Sequence, residues 1–139
     1  MKTLFLDSSV LFSAVCSPTG GSSKIFSLKS YKLTVSTFVL TEVERNVRQK
    51  LFGYHLNRFL KLANELNIVN PKISKKELEQ CRNVIIEKDA TILAQAKILK
   101  VDYLVTLDKR DFLNDKVNDL LYPAQVVTPK TFFEAEGLL

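Results

Sequence analysis

Short apolar runs alternate with segments of helical periodicity along the chain, and this alternation restricts the possible folds more than any other feature. The runs are KTLFL, KLTVS, LNIVN, DYLVTL and AQVVT. Between them apolar residues recur every three or four positions, as at Val39, Val43 and Val47. Strands that alternate with helices predict parallel strands joined by right-handed crossovers. We therefore expect a single α/β domain over residues 1–139, with a mainly parallel sheet of about five strands and helices on both faces.

Length and composition restrict the class of protein further. With 139 residues, 46% of them hydrophobic, the chain can fill one ordinary core. No apolar run approaches the ~20 residues that cross a bilayer. Cys16 and Cys81 are far apart and fit neither a disulfide framework nor a zinc knuckle. Asp7 interrupts the apolar N-terminal stretch, which argues against a secretory signal. These features predict a cytoplasmic protein without a membrane partner.

The net charge of +5 and the isoelectric point of about 9.2 bear on possible partners. A basic chain favours polyanionic partners such as nucleic acid. The basic residues are spread from Lys2 to Lys130, however, and such a distribution is also typical of a solvated, lysine-rich surface. Charge alone leaves both interpretations open.

Several carboxylates stand where the predicted strands end or the following helices begin. Asp7 follows the first strand and Asp108 the fourth. Because the carboxyl ends of parallel strands line the ligand-binding edge of an open α/β sheet, these two side chains should meet there. Glu42 lies early in the helix after the second strand, Asp89 opens a later helix, and Asp111 stands three residues after Asp108.

Each of these acids also has an ordinary structural explanation. Asp89 fits a helix cap, Asp111 an Asx-turn, and Glu42 a solvated helix surface. Taken together, clustered carboxylates repel one another unless a cation intervenes. The single histidine of the chain makes a multi-histidine metal site improbable, whereas Mg²⁺ and Mn²⁺ prefer oxygen ligands. The pattern favours a hard divalent cation held by acids.

The stretch SPTGGSSK is the one segment that suggests a phosphate-binding loop. It departs from the G-x-x-x-x-G-K-[ST] pattern because Gly20 and Gly21 are adjacent and Ile25 follows Lys24. We expect instead a connection in which Ser22 or Ser23 caps the next helix.

With these residues in view, the sequence resembles the PIN domain family. That family comprises nucleases and includes the VapC-like toxins of bacterial and archaeal toxin–antitoxin pairs. The resemblance covers nearly the whole chain through four segments: LFLDSSVLFSA, VSTFVLTEVERNV, KDATILAQAKILKVDYLVTLDKRDF and VVTPKTFFE. It rests on the order and spacing of these segments, because each one alone is a weak signal.

The resemblance implies roles for individual residues. The catalytic acids, which would hold one or two Mg²⁺ or Mn²⁺ ions, are implied to be Asp7, Glu42, Asp89 and Asp108. Asp111 matches an additional acid that some members use as a metal ligand. Ser9 matches a small polar residue near the scissile phosphate, although it fits a helix cap equally well. The chain departs from many relatives at Lys88, where they carry another acid.

The resemblance also implies an activity and partners. It implies a metal-dependent endoribonuclease that hydrolyses RNA phosphodiester bonds, a cognate antitoxin and a homodimer. Lys88, Lys109 and Arg110 flank the acids and are candidates for contacts with the RNA backbone, or else solubilising residues. Two other functions stay open: a non-catalytic PIN-like module for RNA binding or assembly, and a housekeeping ribonuclease without an antitoxin.

Overall fold

The computed structural model describes residues 1–138, and the predicted alternation of strands and helices is confirmed there. Each of the five apolar runs forms one strand, with β2 beginning one residue before its run. The strands β1 to β5 are Lys2–Leu6, Tyr31–Ser36, Asn67–Val69, Tyr103–Val105 and Gln125–Val127.

The described residues form nine helices. In chain order, α1 to α9 are Ser8–Cys16, Gly21–Ile25, Thr37–Lys50, Gly53–Ala63, Lys75–Arg82, Glu87–Leu99, Lys109–Phe112, Asp115–Leu121 and Pro129–Ala135. None of these helices is long and apolar enough to span a membrane.

The five strands form one sheet in the order β3-β2-β1-β4-β5, and all neighbouring pairs are parallel. The chain builds the sheet outward from β1, first through β2 and β3 on one side and then through β4 and β5 on the other. The strand order therefore reverses between β1 and β4, where Leu6 is paired with Val105. Ligands of open α/β sheets bind in the crevice at the carboxyl ends of strands at such a switch point.

Helices cover both faces of the sheet, as the burial of the central strand shows. Leu4, Phe5 and Leu6 are all fully buried, although successive side chains of a strand point to opposite faces. Leu104 and Val105 on the neighbouring strand are equally buried. An uninterrupted apolar run of this kind is what a parallel strand buried on both faces requires.

Polar side chains start several helices. The hydroxyl of Ser36 accepts a hydrogen bond from the amide of Val39, and that of Ser74 accepts one from Glu77, as expected for helix caps. The expected cap in SPTGGSSK is wrong, because α2 begins after Gly20. The hydroxyl of Ser23 is instead buried and donates to the carbonyl oxygen of Ala14.

At the opposite, amino-terminal edge of the sheet, one carboxylate joins the last helix to three strands. The Glu136 carboxylate accepts hydrogen bonds from Lys2 Nζ at 2.7 Å, Tyr31 Oη at 2.7 Å and Tyr103 Oη at 2.5 Å. Hydrogen bonds from Lys2, Tyr103 and Tyr31 lower the pKa of Glu136 to about 2. The end of α9 is thereby attached to β1, β2 and β4.

We predict that Glu136→Gln lowers the free energy of unfolding at pH 7. A carboxyl group whose pKa is lowered on folding stabilises the native state above its unfolded pKa, and this contribution is lost as the pH falls through the folded pKa. The difference between the intact protein and the variant should therefore shrink from about pH 4.5 towards about pH 2. Urea unfolding across this range tests it. The exposed Glu134→Gln on the same helix is the control, and an equal loss in both variants would contradict the prediction.

Candidate active site

A pocket of about 220 Å³ opens at the carboxyl-terminal edge of the sheet. It lies at the switch point between β1 and β4 and is bordered by α1, α3 and α6. The side chains that line it include the four acids Asp7, Glu42, Asp89 and Asp108. Residues separated by up to about a hundred positions in the sequence are thus brought to one place, which we call the acidic pocket.

Asp7 is buried at the bottom of this pocket. It is 3% exposed, and both of its carboxylate oxygens accept hydrogen bonds. Oδ1 accepts from the amide of Ser8 at 2.8 Å, so Asp7 also caps α1. Oδ2 accepts from Ser9 Oγ at 2.7 Å and from Thr106 Oγ1 at 2.8 Å. These donors stabilise a charge that would otherwise be costly to bury. They explain how an acid can interrupt the apolar N-terminal segment.

The same hydroxyls connect Asp7 to the loop after β4. Ser9 Oγ accepts a hydrogen bond from the amide of Leu107 at 3.0 Å, and Thr106 Oγ1 accepts one from Asp108 at 3.0 Å. The Asp108 carboxylate in turn accepts from the amide of Asp111 at 3.1 Å and caps the short helix α7. Asp7 and Asp108 are therefore positioned by one continuous network.

Asp89 is the least satisfied acid of the pocket. It lies in the first turn of α6, is 4% exposed, and its Oδ2 is sealed from solvent without a hydrogen-bond partner within residues 1–138. The helix cap is Ile86, so the alternative explanation of Asp89 as the cap is wrong. Burial, together with repulsion from Asp7, Asp108 and Asp111, raises the pKa of Asp89 to about 7, against a smaller opposing effect of Lys88.

Glu42 approaches from the other side, on α3. It is half-buried and lines the acidic pocket together with Asn46 and Lys50. These three residues are four positions apart and therefore follow one face of the helix. α3 thus contributes an acid, an amide and a cation to the same wall.

The donor set of the pocket fits a hard divalent cation. One carboxylate oxygen from each of Asp89, Asp108 and Asp111 lies within 4.8 Å of the other two. Asp7 and Glu42, which also line the pocket, offer further oxygen ligands. A sealed carboxylate oxygen without a donor is the atom that a cation would satisfy. Mg²⁺ and Mn²⁺ prefer such ligands. Asp111 belongs to this three-acid cluster although it does not line the acidic pocket.

The structure separates the predicted cations. Of the residues predicted to contact the substrate, Lys88 and Ser9 line the acidic pocket. Lys109 lies at a separate cleft with Lys130, and Arg110 lies at another with Arg82. The structure therefore does not bring Lys109 and Arg110 to the acidic pocket.

Sequence reasoning missed several residues of this region, among them Asn46, Lys50 and Thr106. Asn46 and Lys50 line the acidic pocket, and their four-residue spacing from Glu42 was the signal that could have indicated them. Thr106 has no comparable signal, because its hydroxyl matters only once β4 lies beside β1.

The sequence matches the PIN domain family model over residues 4–116, which is most of the chain. The chain belongs to the PIN domain family. The match includes Asp7, Glu42, Asp89, Asp108 and Asp111. No protein with a curated description matches the sequence significantly.

Solved structures of VapBC and VapC proteins share this PIN fold. VapBC-1 of nontypeable Haemophilus influenzae has a TM-score of 0.69 at 15% identity, with 92% of this chain and 98% of that chain covered. VapBC2 of Rickettsia felis, bound to a promoter DNA fragment, has a TM-score of 0.68 at 16% identity, with coverages of 91% and 98%. VapC20 of Mycobacterium tuberculosis, a sarcin-ricin loop cleaving toxin, has a TM-score of 0.58 at 13% identity, with coverages of 77% and 91%.

We predict that Asp89→Asn stabilises the protein in the absence of divalent cations. Because folding raises the pKa of Asp89 from 3.8 to about 7, the folded protein binds more protons than the unfolded chain in this interval. Stability is therefore lost as the pH rises from about 4 to about 7. The variant should exceed the intact protein by about 1–3 kcal/mol at pH 8, with the advantage gone below pH 4.

Urea unfolding in EDTA at pH 4, 6 and 8 measures this effect, with the exposed Asp119→Asn as the control. Mg²⁺ or Mn²⁺ should raise the stability of the intact protein more than that of Asp89→Asn, because a ligand that binds only the native state stabilises it. Equal stability of both proteins in EDTA at pH 8 would contradict the repulsion argument.

Proposed function

We propose that the protein is a metal-dependent endoribonuclease and the toxin of a toxin–antitoxin pair. The observation that carries the proposal is the acidic pocket, where Asp7, Glu42, Asp89 and Asp108 meet and one buried oxygen of Asp89 has no partner among residues 1–138. Membership of the PIN domain family supports a hydrolase that cleaves phosphodiester bonds.

The residues of the chain would hold the cation and position the phosphate. Asp7, Glu42, Asp89 and Asp108 would ligate one or two Mg²⁺ or Mn²⁺ ions, with Asp111 as a further ligand beside them. When bound, such a cation polarises a phosphoryl oxygen and lowers the pKa of water, which is the chemistry that hydrolysis of a phosphodiester needs.

Other side chains of the pocket would orient these groups. Ser9 and Thr106 hold the Asp7 carboxylate in place through their hydroxyls. Lys50 and Lys88 stand at the wall of the pocket and supply positive charge for the phosphate backbone of a substrate. A polyanion could then approach a site that is otherwise strongly acidic.

RNA is the substrate that the comparisons support. VapC20 of Mycobacterium tuberculosis is a toxin that cleaves the sarcin-ricin loop, and it shares the fold with this chain. The basic net charge of +5 agrees with a polyanionic substrate. A non-catalytic RNA-binding module would have no use for four converging carboxylates, which repel RNA, and the acidic pocket therefore favours the enzyme.

An antitoxin is the partner that the comparisons support. The solved structures from Haemophilus influenzae and Rickettsia felis are of VapBC-1 and VapBC2, and the resemblance of this sequence to VapC-like toxins implies a cognate antitoxin. An antitoxin would restrain this nuclease by covering the acidic pocket, where an arginine or lysine could pair with the carboxylates in place of the cation. A homodimer and a cytoplasmic location remain predictions.

For catalysis, we predict that Asp7→Asn reduces RNA cleavage by at least roughly 100-fold, since loss of even an outer-shell partner of a metal ligand costs roughly 10–100-fold. The assay follows a labelled single-stranded RNA with Mg²⁺, Mn²⁺ or EDTA. Circular dichroism verifies that the variant is folded, and Asp119→Asn serves as the control. Cleavage that persists in EDTA, or in the Asp7→Asn variant at the rate of the intact protein, would show that the assignment is wrong.

In cells, we predict that expression of the intact protein stops growth, whereas Asp7→Asn does not. Co-expression of the adjacent small antitoxin gene, where the genome carries one, should restore growth by blocking the acidic pocket. Growth curves and immunoblots at matched expression measure this. Normal growth with the intact protein, at expression equal to that of the variant, would argue for a housekeeping ribonuclease.

A further inference from the structure

A second pocket adjoins the acidic pocket. It has a volume of about 390 Å³ and lies between α3, α6 and the residue that follows β3. Glu42 lines both pockets, so the two share a wall. The other residues that line the second pocket are Thr37, Phe38, Thr41, Arg45, Asn70 and Gln95. Its volume falls within the range of roughly 300–1,000 Å³ that is typical of small-ligand pockets.

Gln95 is the most informative residue of this second pocket. It is 3% exposed, and its amide oxygen Oε1 has no hydrogen-bond partner within the part of the chain that the structure describes. A buried acceptor without a donor is unfavourable, and most such groups in proteins are paired. The terminal torsion of a glutamine side chain is soft, so a donor that enters the pocket can turn the amide and pair with it. The wall of this pocket therefore contains an amide whose hydrogen-bonding capacity is not fully used within the described residues.

The remaining walls indicate the class of that ligand. Phe38 is 42% exposed and offers an aromatic surface on which a planar ring can stack. Thr37, Thr41 and Arg45 recur every four residues along α3, which adds two hydroxyls and a cation to the same wall. Glu42 is the single acid among the lining residues, so the pocket lacks the carboxylate cluster that would suit another cation.

We propose that this second pocket binds an unpaired nucleobase next to the scissile phosphate and sets the sequence preference of cleavage. The inference rests on the proposed ribonuclease function, because a base enters here only if the backbone lies across the acidic pocket. Single-stranded RNA is recognised by stacking a splayed base on an aromatic side chain and by hydrogen bonds to the base edge. Phe38 supplies the first contact and Gln95 the second.

Adenine matches the amide of Gln95 best. The amide oxygen accepts from the exocyclic amino group of adenine, while the amide nitrogen donates to a ring nitrogen. Such a two-point contact discriminates against other bases by roughly 5- to 100-fold. Arg45 would contact the adjoining phosphate, which is the usual role of an exposed cation beside a base pocket.

The first test maps cleavage sites in a single-stranded RNA pool with randomised sequence, in Mn²⁺. The intact protein should show enrichment of adenine at one position beside the cut. Gln95→Leu, which has similar volume and no amide, should remove this enrichment while cutting continues. The exposed Gln49→Leu on α3 is the matched control and should keep it. Phe38→Leu should weaken binding of every base roughly 5- to 100-fold without changing the preference, because stacking tolerates all bases.

The second test measures binding without cleavage, so that it can be read even if the protein is not a nuclease. Affinities of the intact protein for oligoadenylate and oligouridylate of equal length are compared in EDTA. The preference for oligoadenylate should disappear in Gln95→Leu and persist in Gln49→Leu, with folding verified by thermal unfolding. If this pattern is seen while no RNA is cut, the proposed nuclease function fails, and the pocket keeps its base-binding role but loses its role in cleavage.

Two outcomes overturn the base pocket. One is RNA cleavage with an end-sequence profile that Gln95→Leu leaves unchanged. In the other, Gln95→Leu keeps the RNA profile but binds a co-purified antitoxin more weakly than the intact protein does. This result would assign the pocket to antitoxin binding.

Discussion

The structure depends on how the protein tolerates several carboxylates at one partly buried edge of its sheet. Like charges at short range raise one another's pKa, and burial adds to this effect. The hydrogen bonding differs from one acid to another. Asp7 accepts hydrogen bonds on both oxygens, whereas Asp89 keeps one oxygen unpaired and its pKa rises to about 7. The first arrangement supports the fold, and the second leaves a ligand position that a cation would complete.

This arrangement explains why the hydroxyls around Asp7 matter to both folding and function. Ser9 and Thr106 donate to the same oxygen of Asp7 and accept from backbone amides of the loop after β4. The central carboxylate, the end of β4 and Asp108 are consequently held as one unit. Preorganisation of this kind fixes the two carboxylates in advance, so little free energy would be lost in ordering them if a cation or substrate binds.

In the proposed function, the two neighbouring pockets would divide the tasks of chemistry and recognition. The smaller one concentrates acids and two lysines, which suits a cation and a phosphate. The larger one offers an amide, hydroxyls and an aromatic ring, which suits a base. Because Glu42 borders both, an RNA chain bound at the acidic pocket would lie beside the second pocket. α3 and α6 contribute to both pockets, so the same two helices would position the reacting bond and the base beside it.

The sequence by itself determined the α/β alternation, the five strands and the acids at their ends, because local periodicity and strand-end position are written in neighbouring residues. It placed Asp7 and Asp108 at one edge for this reason. Only the tertiary structure decided that Thr106 bonds Asp7, that Lys109 and Arg110 face other clefts, and that Gln95 borders a pocket. Such outcomes depend on the order of strands and on the rotation of helices about their axes. These are set by packing between residues far apart in the chain, and local patterns do not encode them.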